Sequence, residues 1–246
     1  MTTKPSVPPA TLRDYVRSAV TFAVSIVLFY ALICLNLLAT TFWPARRVHF
    51  LMRFAGWLLV KVAGISLRVR GLEHIPRSGG FLLVCNHVNT FDPLILYAVI
   101  PRHCIAIEKA AHFRWFLYGK MIERWGNLPV ESGNPTLSAA SLDRAAVELV
   151  SGTPVFIYPE GTRARTGQLG PFKKGGFHLA LRTRVPLIPM VFKGADKIFL
   201  QGTPLIRPGT EDVVLLPPVD LSGYRDNEAQ RLADDVRELI RAELER

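Results

Sequence analysis

The stretch Asn86-His87-Val88-Asn89-Thr90-Phe91-Asp92 sets an imidazole and a carboxylate five residues apart, the pair of groups that takes a proton from a hydroxyl. On a regular helix, at about 100° per residue, such positions point well apart, and in a strand an odd offset lands on opposite faces. His87 and Asp92 can therefore meet only across a turn. Asp92 would accept one imidazole N–H and leave the other ring nitrogen free as a base, which is the Asp and His portion of a catalytic triad. No Gly-x-Ser-x-Gly elbow occurs in the chain, so the hydroxyl to be activated belongs more naturally to a substrate. Cys85 is the alternative nucleophile, although a cysteine inside an apolar run usually packs as a small hydrophobe. The plain alternative is that Asp92 only caps a helix and His87 only ends a strand.

A second block, Tyr158-Pro159-Glu160-Gly161-Thr162-Arg163, opens a loop that carries Arg163, Arg165, Lys173 and Lys174 among Gly161, Gly167, Gly170, Gly175 and Gly176. Cations on a glycine-rich loop suit a phosphate. Arg163 offers a bidentate fork, Thr162 a hydroxyl and Gly161 an unobstructed N–H, with Lys173 adding charge. Gly175-Gly176 lead into a helical pattern whose N-terminus would also favour an anion. No Lys-Ser or Lys-Thr follows the glycines, so this is not a P-loop. Glu160 would orient Arg163 or grip a substrate hydroxyl. A solvated basic hairpin is the competing reading.

These groups need a scaffold. Residues 81–85 and 154–158 read as short buried strands, and Asp92-Pro93 opens a helical pattern with Asp92 as N-cap and Pro93 as first helical residue. Strands over 66–70, 80–85, 105–108, 128–131, 155–158, 187–192 and 213–216 alternate with helices, of which 110–125, 136–150 and 227–245 are the clearest. The pattern predicts an α/β fold: a mixed, largely parallel sheet of about seven strands covered by helices, preceded by an N-terminal hydrophobic helical hairpin. Residues 1–64 form the anchoring part and 65–246 the domain behind it. The last helix is expected to pack on the surface without a part in chemistry. An acyl-sized apolar groove would draw on Phe113, Trp115, Phe116, Leu117 and the 185–190 strand, but their spacing reads as core.

The hairpin is inferred from charge and hydropathy. No charged residue lies between Arg17 and Arg46, a run long enough to span a bilayer, for which about 20 apolar residues suffice. It lacks a small-residue cleavage site, so it reads as a retained anchor. A second apolar stretch over 54–60 follows Pro44 and the Arg46-Arg47 pair. Basic residues on both flanks favour a hairpin in one leaflet over a true span. The net charge is +10, and the first 70 residues hold nine bases against the single acid Asp14. That balance points to an anionic leaflet, and with no zinc-finger spacing and no RNP-type strand it does not point to nucleic acid. The six histidines show no metal-ligand spacing, so no metal is expected. Three cysteines give no disulfide framework and suit a reducing cytosolic face.

Together the two blocks resemble the glycerolipid acyltransferase family, which includes 1-acylglycerol-3-phosphate acyltransferases, over roughly residues 65 to 220. The family's Asn-His-x-x-x-x-Asp falls on Asn86, His87 and Asp92, and its Phe-Pro-Glu-Gly-Thr-Arg on Tyr158 through Arg163, with Tyr for Phe. Its Pro-Phe-Lys-x-Gly-x-Phe extension is matched by Pro171 through Phe177, and its late Val-Pro-x-x-Pro strand by Val185 through Pro189. One block departs: where the family carries an arginine implicated in holding glycerol phosphate, this chain has Ser132. Arg124, Lys109 or the Arg163 loop would then compensate, or the acceptor differs, a lyso-ornithine lipid being one such case. The resemblance implies acyl transfer from acyl-CoA or an acyl carrier protein to a lysophospholipid, with no cofactor. It implies His87 as base, Asp92 as its partner, and a catalytic domain on the cytoplasmic face of a membrane, the inner one if bacterial. Hydrolysis of a lysophospholipid, or a non-catalytic membrane-binding role, are the readings from other classes.

Overall fold

The computed structural model describes residues 10–131, 135–163, 169–198 and 203–246. Ser132, Arg165 and Gly167, singled out above, lie outside them. In chain order come α1 (Leu12–Phe42), α2 (His49–Val62), β1 (Ile65–Arg70), β2 (Leu82–Cys85), α3 (Asp92–Val99), β3 (Ile105–Lys109), α4 (Tyr118–Trp125) and β4 (Leu128–Val130). They are followed by α5 (Pro135–Val150), β5 (Val155–Ile157), α6 (Gly175–Thr183), β6 (Leu187–Lys193), α7 (Ala195–Ile198), β7 (Gly209–Leu215) and α8 (Ala229–Glu245).

The seven strands form one sheet in the order β1-β7-β6-β2-β5-β3-β4. Only β6 and β7 run antiparallel; every other neighbouring pair is parallel. The central strands β2 and β5 are buried at every residue, as expected of parallel strands covered on both faces. Alternation splits their side chains between two cores. Leu83 and Cys85 pack with Val60, Ile95 and Leu96 under α2 and α3, while Leu82 and Val84 pack with Phe177, Leu179, Leu232 and Val236 under α6 and α8.

Helix α1 has its polarity reversed relative to a soluble surface helix. Its buried residues include Ser18, Ser25 and Asn36, whereas Val20, Val24, Ile26, Val27 and Leu38 are exposed. It is the one helix among the described residues long and apolar enough to cross a membrane. It also stays on the domain along its length. Near one end the Ser18 hydroxyl donates to the Ile206 carbonyl at 3.2 Å; near the other, Arg124 of α4 donates to the Leu37 carbonyl at 2.9 Å and the Thr41 hydroxyl at 3.0 Å. A single 3-10 turn, Ala45–Arg47, joins α1 to α2, giving the expected hairpin. Helix α2 lies close on α3, because Gly56 faces the Leu94 carbonyl where a Cβ would come within 2.3 Å.

Three local expectations are corrected. The helix expected over 110–125 is a 3-10 turn, Ala110–Arg114, followed by a reversal and the shorter α4. Leu117 at φ +56° makes the break, and Gly119 then folds back against the Phe113 carbonyl, where a Cβ would sit at 2.1 Å. Trp115 and Phe116 at that apex are therefore exposed and not core, while Phe113 and Leu117 pack against the cluster of Ile33, Met52, Met121 and Trp125. Asp92 is the first residue of α3 and Phe91 its cap, so Pro93 occupies the second position. Gly175 and Gly176 begin α6 and do not precede it; a Cβ on Gly176 would meet the Ile157 side chain at 2.0 Å.

Candidate active site

The chain leaves β2 after Cys85, between β5 and β6, at the carboxyl end of parallel strands where open α/β sheets hold their ligands. Asn86 governs the exit. Its side chain donates to the Phe192 carbonyl at 3.0 Å and accepts from the Phe192 N–H at 2.8 Å, continuing the ladder to β6 past the last strand pair. Residues 87–91 then turn into α3, and the turn is built around one oxygen. Asp92 Oδ2 accepts the Val88 N–H at 2.7 Å, the Asn89 N–H at 3.0 Å and His87 Nδ1 at 2.7 Å. The Asn89 side chain accepts the Phe91 N–H and closes the turn from within.

An oxygen that already accepts two backbone N–H groups takes its third bond as an acceptor too, so Nδ1 carries a proton and, in the neutral ring, the lone pair lies on Nε2. The Asp92 side chain is fully buried and that of His87 is 19% exposed, so the carboxylate is shielded while the ring reaches the surface. The Tyr158 ring stacks on His87 at 4.2 Å between centroids, 20° from parallel, fixing its plane. Asp92 Oδ1 and the Tyr158 hydroxyl are buried with no hydrogen-bond partner among the described residues. Burial, with the Asp92 charge adding to it, pushes the Tyr158 hydroxyl well above its ordinary range, so it stays a neutral phenol. Burial does the same to the Cys85 thiol, which removes the alternative nucleophile, since only the thiolate attacks.

The second block meets the first because β2 and β5 pair with Leu82 opposite Val155 and Val84 opposite Ile157. Three residues past each of the latter come His87 and Glu160. Glu160 neither orients Arg163 nor stands free for a substrate hydroxyl. It is buried, its Oε1 accepts the His87 N–H at 2.9 Å, and its Oε2 accepts the Gly170 N–H at 2.9 Å. The carboxylate thus ties the His87 turn to the returning segment of the cationic loop. Helix α8, expected to have no part here, holds that return as well: Arg237 donates to the Gly170 carbonyl at 2.7 Å and the Leu169 carbonyl at 2.9 Å.

Gly161 adopts φ +69°, and the Lys173 side chain crosses directly over it, its Nζ 2.6 Å from where a Cβ would stand. Arg163 and Thr162 are exposed, and Arg163 donates to the hydroxyl of Thr90, inside the His87 turn, at 2.5 Å. Glu160 and Arg163 therefore bond to the His87–Asp92 turn, and Lys173 lies over Gly161 next to Glu160; Thr162 is exposed beside Arg163. Arg124 is not near them, being held on α1, whereas Lys109 is exposed at the end of β3. Asn89 and Arg237 were not singled out from the sequence, and Asn86 only as the first residue of the motif, without a role. The two asparagines lay in view inside the motif as turn-forming residues, but nothing local marked Arg237. Among the described residues no three His, Cys, Asp or Glu side chains gather as a metal would require.

A partly exposed imidazole, held through Nδ1 by a buried carboxylate and flanked by the exposed Arg163, can in its neutral form deprotonate a hydroxyl on an anionic molecule. Comparison with known proteins agrees with that chemistry. Residues 66–193 match the family model described as Acyltransferase. A sheep protein named 1-acyl-sn-glycerol-3-phosphate acyltransferase alpha is 32% identical over 182 residues, 71% of this chain and 61% of the relative. A Limnanthes douglasii protein named 1-acyl-sn-glycerol-3-phosphate acyltransferase is 27% identical over 187 residues, 74% of this chain and 66% of the relative. The chain thus spans somewhat less than two thirds of the length of these curated relatives. The crystal structure of the 1-acyl-sn-glycerophosphate acyltransferase PlsC from Thermotoga maritima superposes with a TM-score of 0.79 at 21% identity, covering 95% of this chain and 97% of that one, and so shares the fold.

Proposed function

This chain belongs to the acyltransferase family, and from that premise we propose that it acylates the free hydroxyl of 1-acyl-sn-glycerol 3-phosphate, giving phosphatidic acid for phospholipid synthesis. The donor is an acyl thioester, of coenzyme A or of acyl carrier protein, used as a co-substrate with no cofactor. His87 Nε2 takes the proton from the glycerol hydroxyl as its oxygen attacks the thioester carbonyl. The tetrahedral intermediate collapses, the C–S bond breaks, and the leaving sulfur receives the proton from the imidazolium. Asp92 holds the ring and balances its transient charge. General-base catalysis of this type contributes about 10² to 10⁴ in rate, and positioning of the two substrates adds to it. Arg163 and Lys173 bind the acceptor phosphate, with the Thr162 hydroxyl beside them. The Gly161 N–H, expected to be unobstructed, donates to the Tyr158 carbonyl at 3.0 Å, so Gly161 only leaves room for Lys173, and Glu160 positions the turn and the loop without touching substrate. The reading rests on one observation above all: the base and the cations share a single frame, joined through Glu160 and through the Arg163–Thr90 bond.

The exposed apolar face of α1 and the basic excess of the first 70 residues support association with an anionic membrane. Contacts to the domain near both ends of α1 favour insertion of the hairpin into one leaflet, since a helix held along the domain surface cannot leave it to cross the bilayer. The catalytic domain then faces the cytoplasm.

Purified protein in lipid vesicles, given labelled acyl thioester, should form phosphatidate and free thiol in equal amounts only when lysophosphatidate is present. Free fatty acid in place of phosphatidate would make it a hydrolase. Acylation of a lyso-ornithine lipid and not of lysophosphatidate would move the acceptor, and no thiol release at all would leave only membrane binding.

A further inference from the structure

Trp115 and Phe116 are consecutive, 58% and 76% exposed, and stand at the apex between the Ala110–Arg114 turn and α4. This pair is not a loose loop tip. The Trp115 indole lies 4.4 Å from the His112 ring and 5.8 Å from the Tyr118 ring. Both of those neighbours bond to Glu108 Oε1 at 2.8 Å, and Glu108 Oε2 accepts from Asn127 at 3.1 Å. Leu117 at φ +56° fixes the direction of the reversal. An exposed aromatic surface held by a half-buried polar brace is pre-organised for a partner.

The place of the apex says which partner. Helix α4 lies along α1: Arg124 meets Leu37 and Thr41, and six residues earlier Tyr118 meets Phe29, the rings 5.9 Å apart. Trp115 adds a third ring, 5.8 Å from that of Tyr118, so the apex stands near the Phe29 level of α1, where Ile26 is exposed. Its aromatic surface therefore extends the apolar face of α1. Lys109 and Arg114, both exposed, flank it with positive charge. Aromatic rings with basic neighbours, set beside a bilayer-length apolar helix, match the boundary between anionic headgroups and acyl chains.

We propose that the Trp115–Phe116 apex is a further membrane-docking element, entering the same leaflet as α1 and α2. The proposal rests on the membrane reading above and adds a distinct role: an in-plane helix is free to roll about its axis, and an insertion point off that axis stops the roll. The stop fixes which way the mouth of the site faces, because Glu108, which braces the apex, belongs to β3, the neighbour of β5.

The test uses the full chain with Cys34→Ser and a nitroxide on Phe116→Cys, bound to phosphatidylcholine–phosphatidylglycerol vesicles. A label on Val150→Cys, exposed on α5 across the sheet from α1, serves as reference. The Phe116 label should collide preferentially with oxygen over a water-soluble nickel complex, and the Val150 label the reverse. Trp115→Glu with Phe116→Glu should lower turnover of vesicle-embedded acceptor severalfold while sparing a detergent-dispersed one. On vesicle-bound protein, a Phe116 label as open to nickel as the Val150 label would overturn the proposal. So would a Phe116 label shielded from both reagents, which would mean that protein covers the apex. Failure of the unsubstituted chain to float with vesicles would instead overturn the membrane reading, and this proposal with it.

Discussion

Among the described residues two carboxylate–imidazole pairs of nearly equal length occur, His87–Asp92 at 2.7 Å and His112–Glu108 at 2.8 Å. Distance does not separate them; surroundings do. Asp92 is fully buried and its bonded oxygen is set by two backbone N–H groups, so the main chain of the turn dictates where His87 stands. Glu108 is shared with the side chains of Tyr118 and Asn127, and its histidine leans on Trp115, so that pair supports a surface feature. Beside His87 lie Thr90, Arg163 and the Glu160 tie to the cationic loop. The two pairs thus differ in what holds the ring and in what lies beside it.

Substitutions can break this contrast. His87→Ala and Asp92→Asn should each lower kcat by about 10² to 10⁴ with vesicle binding unchanged, measured by thiol release and flotation. Survival of activity in either would erase the distinction between the pairs. Glu160→Gln keeps an acceptor for one of its two N–H partners and gives up a charge-assisted bond, so kcat should fall about tenfold. Arg163→Ala should raise the KM for lysophosphatidate about tenfold and leave that for the acyl thioester unchanged. His112→Gln should keep kcat on a detergent-dispersed acceptor within about threefold, in contrast to His87. The smallest effect belongs to Cys85→Ala, with activity essentially retained, and a maleimide should leave Cys85 unmodified in the native protein because burial keeps its thiol protonated.

The sheet was legible in the sequence to the extent that strands announce themselves locally. Runs such as Leu82–Cys85 and Val155–Ile157 are short, apolar and bounded by turn residues, and both appear as expected. Strand order was not legible, since the antiparallel β6–β7 pair and the parallel return of β7 beside β1 depend on partners far along the chain. At the site, the meeting of His87 and Asp92 across a turn followed from their spacing alone. The role of Glu160 did not, because its partners are backbone N–H groups 73 and 10 residues away. The broken helix at Leu117 shows the same limit: the apolar periodicity ran through 110–125, and the close approach of Gly119 to Phe113 overrode it.

The contact at Gly56 bears on how the molecule can be handled and how it can evolve. With no side chain between them, α2 and α3 touch backbone to backbone, and α3 starts at Asp92. No flexible tether intervenes, so under the proposed function the depth at which the lipid acceptor's head would meet the imidazole is a fixed offset written by one missing methyl. Trimming the front helices to obtain a water-soluble fragment would strip the cover from α3 and slacken the turn it begins. Lengthening the tail of the lipid, by contrast, leaves that offset untouched.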